Sequence, residues 1–360
     1  MILLNPGPVT LSARVRQALQ QEDLCHREPE FAALTLDVRD RIEHIYPAAA
    51  ADYAAVLVAG SGSCAVEAML STFAAHDRAT LVVCNGVYGE RMAQMLAQQR
   101  KPYVPLLLDW QGGIDVAKVE QALDAHPDVA TLAVVHHETT TGRLNQLDEL
   151  AALCQRRHIG LLVDAVSSFG GEEIPFERWQ PLAIAATANK CLHGIPGVAF
   201  VLALREVLAT PHGHATTLYL DLERYYVAQQ QGWSPFTQPV QAFQALQEAL
   251  REFAEGGGWQ ARQARFTALS NAVAQHLAAK GVQPLLGAGE SSSMLRAYHL
   301  PARLPYDLLH DALKAHGFVI YAGQGALAAQ IFRIATMGAI ADGDLQRLLA
   351  AFDDVFAREA

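Results

Sequence analysis

Lys190 sits in Ala186-Thr-Ala-Asn-Lys-Cys-Leu-His-Gly-Ile-Pro-Gly197, a run of apolar, hydroxyl and glycine residues with no other charge beside it. The preceding Pro181-Leu-Ala-Ile-Ala-Ala186 reads as a buried strand, so the amine should emerge where water is scarce. Desolvation lowers a lysine's pKa and frees its lone pair, as a Schiff-base lysine requires. Upstream, the apolar run Ile159-Gly-Leu-Leu-Val163 ends in Asp164. A carboxylate at a strand end can hold the proton of a pyridinium ring. Lysine for an aldehyde and aspartate for a ring nitrogen are the two protein groups that pyridoxal phosphate chemistry needs. Any large α/β protein contains strands ending in Asp and lysines in loops, so the pair requires further support.

Gly60-Ser61-Gly62-Ser63 lies between an apolar strand and the helix begun by Cys64-Ala-Val-Glu67. Backbone N–H groups freed by glycine, two hydroxyls and a helix N-terminus make a phosphate cradle. The same residues match the loose dinucleotide pattern Gly60-x-Gly62-x-x-Ala65, which keeps a nicotinamide-dependent oxidoreductase as an alternative. The next strand, Thr80–Cys84, ends in Asn85-Gly86 without the acid that would hold a ribose, which counts against it. Tyr88 stands either where a ring would stack on a planar cofactor or as a partly buried tyrosine at a helix start. His136, His137 and Glu138 invite a metal reading, but no further ligand follows at suitable spacing; His212 and His214 are read likewise, and no metal is expected. Arg333, in Ile331-Phe-Arg-Ile334, either pairs with an internal acid or faces an anionic ligand.

The elements that must position these residues follow from periodicity. From Tyr53 to Val163, short apolar runs alternate with helical stretches, which predicts a mostly parallel sheet wrapped by helices. Ligands of such sheets sit at the carboxyl ends of the strands. Asn5-Pro-Gly-Pro8 is rigid and non-helical. Helical spacing returns at Leu11–Gln20 and Phe31–Tyr46, joined by a polar connector holding His26 and Arg27, and again at Val240–Phe253 and Gln260–Lys280. In the final third, Met294–Leu300, Phe318–Tyr321 and Ile331–Ile334 read as strands and Leu308–His316 and Leu345–Arg358 as helices, a smaller α/β domain. The expected division is an N-terminal segment (1–20) near the active site, a large cofactor-binding domain (21–240) and a small C-terminal domain (241–360).

At 360 residues, 51% hydrophobic and 18% charged, the chain can bury a large core. A net charge of −10 argues against nucleic acid or an anionic membrane as a main partner. No apolar run approaches a membrane span and no secretory pattern opens the chain, so a cytoplasmic location is expected. Five cysteines without paired short spacings signal neither a disulfide framework nor a zinc site.

With Gly60-Ser-Gly-Ser63, Asp164, Lys190 and Arg333 in this order, the chain resembles the class V pyridoxal-phosphate aminotransferases of fold type I over essentially its whole length. Thr187–Gly197, Leu4-Asn-Pro-Gly-Pro8, Gly317–Gly323 and Phe332-Arg-Ile334 are most similar to the branch that transfers the amino group of 2-aminoethylphosphonate to pyruvate. The resemblance implies pyridoxal 5′-phosphate as cofactor, Lys190 as Schiff-base lysine and Asp164 as the ring-nitrogen partner. It places Ser61, Gly62 and Ser63 at the phosphate, Tyr88 on the ring face, Thr139 near the ring hydroxyl, and Val166 and Asn189 in the cofactor site. Thr237, with Ser234, would reach the phosphate of a second subunit, implying a homodimer with shared active sites. Arg333 would grip the acidic group of an amino donor and then of a 2-oxo acid. Two departures matter. Cys25-His-Arg-Glu-Pro-Glu-Phe31 is similar to a string of alanine- and serine-glyoxylate transaminases of the same family, which stay as the alternative, and Gln324 is neutral where many phosphonate enzymes have lysine. A cysteine desulfurase would need a mobile reactive cysteine, and Cys191 is better explained by packing.

Overall fold

The computed structural model describes residues 1–358 of the chain. Its centre is a seven-stranded sheet built from β1 (Tyr53–Gly60), β2 (Ala79–Cys84), β3 (Tyr103–Leu107), β4 (Val129–Val135), β5 (Gly160–Asp164), β6 (Ala183–Thr187) and β7 (Gly197–Leu204). The strands lie side by side in the order β1-β7-β6-β5-β4-β2-β3, and only β7 runs against its neighbours. Strand side chains alternate between faces, and both faces are covered. Leu57, Leu81, Leu132, Val163 and Ile184 point into one apolar core, while Val56, Val82, Ala133, Leu162 and Ala185 point into the other. The inner strands therefore read as continuous apolar runs. Edge strand β3 alternates between exposed and half-buried residues.

Because the other strands share one direction, β1, β2, β4, β5 and β6 all end at the same rim. The polar residues singled out above follow those ends. The second unit is an antiparallel sheet of β8 (Leu295–His299), β9 (Tyr321–Ala322) and β10 (Ile331–Ala335), with β10 in the middle. Helices Gly258–Ala279, Tyr306–Ala315 and Asp342–Arg358 supply its core, which Leu4 joins from the N-terminus.

Two elements differ from the sequence expectation. The expected strand Phe318–Tyr321 is split: Phe318–Val319 pairs in parallel with Ile2–Leu3, whereas Tyr321–Ala322 pairs with β10. Alternation marks an extended chain but does not say which neighbour it pairs with. Helix Leu222–Gln229 carries no clean apolar stripe; Asp221 caps it by accepting from Arg224 N, and Gln229 brackets the backbone of Leu57. Helix Val240–Glu255 packs Phe243, Leu246, Leu250 and Phe253 into the core of the large unit. We place the passage between the two units after Phe253, later than residue 240.

Candidate active site

Lys190 lies in the turn that follows β6, and its Nζ donates to the carbonyl oxygen of Pro6. The N-terminal segment is held there from both sides. Leu4 N donates to Val319 O and Ala335 N to Leu4 O, while a Cβ on Gly7, whose φ is +132°, would sit 2.6 Å from Lys190 Nζ. Glycine at position 7 is thus what lets the backbone approach the amine. Burial pushes the Lys190 amine down to about 8, and the nearby Arg333 adds to this against the opposing fields of Cys191 and Asp164.

Asp164 ends β5 and is 6% exposed. Its Oδ1 accepts from Val166 N at 2.9 Å, and that is the one hydrogen bond of the carboxylate among the described residues. Burial raises its carboxyl to about 6, opposed by the Val166 N–H, Lys190 and Arg91. Such a carboxylate has every reason to bind a cation that is not part of the protein. Val166 in turn abuts the helix Gly62–Phe73: a Cβ on Gly62 would meet Val166 Cγ1 at 2.5 Å. Ser61 is the N-cap of that helix, but its side chain makes no capping bond. The N–H groups at this end consequently face the rim uncapped and able to take an anion.

Tyr88 lies in the first turn of the helix Val87–Gln98, and together with Ser63, Arg91, Asp164 and Val166 it lines one small cavity. Arg91 places its guanidinium 4.7 Å from the centre of the Tyr88 ring and reaches Ser63 Oγ at 3.4 Å. Sequence reading missed Arg91, one of two adjacent charged residues on a helix whose single marked face is apolar. It also undervalued Glu138. This carboxylate is wholly buried and accepts from Thr140 N, Thr140 Oγ1 and Tyr88 N at 3.1, 2.6 and 3.2 Å. It fastens the start of the Tyr88 helix to the hairpin His137–Glu138/Arg143–Leu144, and Gly86 leaves the room it needs. His136 Nδ1 bonds Ser168 Oγ and His137 Nδ1 bonds Ser167 O, while His137 Nε2 is buried without a partner; among the described residues no three His, Cys, Asp or Glu side chains are grouped to hold a metal.

Arg333 lies at the centre of β10 with 2% of its surface exposed. Its Nε donates to Ala322 O at 2.9 Å, and its Nη1 donates to Thr139 O at 2.8 Å and Gln324 Oε1 at 3.2 Å. All three acceptors are neutral. Among the described residues no Asp or Glu pairs with it, so the internal ion pair considered from sequence is not there. Burial lowers its pKa, and the fields of Tyr88 and Glu138 only partly offset that. A desolvated, unpaired guanidinium is costly unless a ligand brings the counter-charge.

The structure thus gathers Ser61, Gly62, Ser63, Tyr88, Thr139, Asp164, Val166, Lys190 and Arg333 at one rim. Asn189 lies beside Lys190 and accepts from Thr187 Oγ1 at 2.9 Å. Thr237 is exposed and makes no hydrogen bond to this group within one chain, while Ser234 is buried and bonded to Gln238.

The family profile described as aminotransferase class-V matches residues 13–330. The chain is a class V aminotransferase. It is 38% identical to the 2-aminoethylphosphonate–pyruvate transaminase of Aeromonas hydrophila over 97% of this chain and 93% of that one. A protein of the same name from Klebsiella pneumoniae is 35% identical over 98% of this chain and 97% of its own. Among solved structures, an aspartate aminotransferase from Thermus thermophilus superposes with a TM-score of 0.90 at 26% identity, covering 100% of both chains. The alanine–glyoxylate aminotransferase of a Nostoc species superposes with a TM-score of 0.91 at 24% identity, over 98% of this chain and 94% of that one. Class V aminotransferases depend on pyridoxal phosphate, and the residues present fit it: an amine of lowered pKa, a buried carboxylate with a free oxygen, and an uncapped helix N-terminus at Gly62.

Proposed function

We propose that this aminotransferase moves the amino group of 2-aminoethylphosphonate to pyruvate, giving phosphonoacetaldehyde and L-alanine. The observation that carries this reading is Arg333, buried, unpaired and held open by three neutral oxygens beside the lysine. Both the donor and the acceptor carry an acidic group close to the reacting carbon, the phosphonate one methylene away and the carboxylate bonded to it, so one guanidinium can serve each in turn. The names of the curated relatives support the same donor.

When bound, pyridoxal phosphate supplies an aldehyde that takes up the amino group and a ring that accepts the electron pair left by proton removal. The chain's own groups do the rest. Lys190 Nζ takes a proton from the donor carbon that bears nitrogen and, in the second half of the reaction, gives one to the former carbonyl carbon of pyruvate, which its lowered pKa favours near neutral pH. Asp164 keeps the ring nitrogen protonated through its free oxygen. Ser61, Gly62 and Ser63 hold the phosphate, Tyr88 packs on the ring face, and Thr139, Val166 and Asn189 complete the cofactor site. Arg333 fixes the acidic group of the substrate so that the reacting carbon lies by the amine.

A second reading, an alanine- or serine-glyoxylate transaminase, is favoured by one observation: Gln324, the side chain bonded to Arg333, is neutral, and a singly charged carboxylate needs one cation only. A donor panel separates the two. Arg333→Ala is expected to raise KM for both amino donor and pyruvate by about 10-fold or more, the worth of a charged hydrogen bond. Unchanged KM values would remove Arg333 from the site.

We further infer a homodimer in which Thr237 meets the partner's cofactor phosphate. The exposed Leu218, Tyr219, Val227 and Trp233 in the same stretch of chain supply apolar surface for such a contact. All five cysteines are free, in keeping with a reducing cytoplasm, and among the described residues no helix is long and apolar enough to cross a membrane.

A further inference from the structure

Trp110, in the turn after β3, bridges the two units next to the segment that carries Gln324. Its Nε1 donates to Glu90 Oε1 at 3.0 Å, and Glu90 lies on the helix that also carries Tyr88 and Arg91. The other side of the indole rests on the second unit. It packs against the cluster of Ala297, Leu327 and Ile331, and it approaches Gly325 so closely that a Cβ there would sit 2.8 Å from Trp110 Cη2. Gly325 follows Gln324, whose Oε1 accepts from Arg333 Nη1. An arginine only donates, so this bond fixes the amide's orientation and leaves the Gln324 NH2 as a donor next to the guanidinium.

We propose that Gln324 is a second donor to the acidic group of the substrate, and that Trp110 is the positioning residue that holds it there. Glu90, Trp110 and Gly325 then form a wall tying the substrate-anion pocket to the helix beneath the cofactor. This rests on Arg333 being the anion site. The wall sets affinity for the anionic end of the substrate and leaves the proton-transfer groups untouched.

The test is a double-mutant cycle on the holoenzyme, with Trp110→Ala, Gln324→Ala and the pair together, reading KM and kcat for donor and pyruvate and the visible absorbance of the cofactor. Each single change is expected to raise both KM values by about 10-fold with kcat and cofactor absorbance nearly unchanged. The double variant should be no worse than Gln324→Ala alone, because Trp110 acts through Gln324. Losses that add, or losses confined to kcat or to cofactor binding, would overturn the proposal. Should Trp110→Ala fail to fold, Glu90→Gln loosens the anchor while keeping the packing. A KM rise that vanishes in the Gln324→Ala background then supports the proposal, and no KM rise refutes it. Arg333→Ala run in parallel shows separately whether the anion site itself is assigned correctly. If the wild type ignores 2-aminoethylphosphonate but uses alanine or serine, the donor assignment fails, and the cycle run on that donor still decides the role of Trp110.

Discussion

Lys190 and Asp164 are each buried against their own charge, the amine lowered to about 8 and the carboxyl raised to about 6. For the cofactor-free protein this has a definite sign. A carboxyl whose folded pKa is raised costs nothing below its unfolded value of 3.8, costs progressively more as pH rises towards about 6, and costs its full amount above that. Asp164→Asn should therefore stabilise the cofactor-free protein at pH 8 by about 2–3 kcal/mol and leave it unchanged near pH 4. The same substitution should lower transamination by at least about 100-fold, since the ring nitrogen loses its partner. Denaturant unfolding at the two pH values, beside steady-state rates, checks both halves. Equal stability at pH 8 would mean that Asp164 is already compensated inside the protein. The buried charge is a stability cost kept for a ligand.

At the scale of elements, the site depends on how closely the loop after β5 approaches the helix after β1. Gly62→Ala would drive a methyl group to within 2.5 Å of Val166 Cγ1 and push the helix N-terminus away from the loop. We expect the affinity for pyridoxal phosphate to fall by about 10-fold, and Val166→Ala in the same chain to recover much of it because the colliding methyl is gone. Equilibrium binding by absorbance measures both, and failure of the second change to rescue would show that the contact is not the cause. The same scale explains what could be read in advance. Both strand ends that carry Asp164 and Lys190 follow apolar runs covered on two faces, and these leave a strong mark in sequence. Glu138 leaves none, because its partners are backbone groups of Thr140 and Tyr88 and one hydroxyl brought in by a hairpin of two-residue strands. Arg91 is hidden for a different reason: its role is set by the rotation of a helix about Tyr88, and polar residues on a half-exposed face look alike. The expected strand Phe318–Tyr321 was extended as foreseen, but its two halves found different partners.

At the scale of the whole molecule, the site is assembled from distant parts: the N-terminal segment at Pro6, the rim of the central sheet, and β10 of the second unit. Arg333 reaches the rim only because the second unit lays Nη1 on Thr139 O. In one chain Thr237 takes no part, and we assign it to the neighbouring subunit. Sedimentation should find a dimer at assay concentration, and Thr237→Ala should weaken cofactor binding without dissociating it; a monomer of full activity would end that assignment. The amino donor is decided by titrating the yellow holoenzyme with 2-aminoethylphosphonate, alanine and serine in parallel and following its visible absorbance. We expect 2-aminoethylphosphonate to bleach the colour at far lower concentration than serine, and pyruvate to restore it. Bleaching by alanine or serine alone, with 2-aminoethylphosphonate inert, would contradict this assignment of the donor.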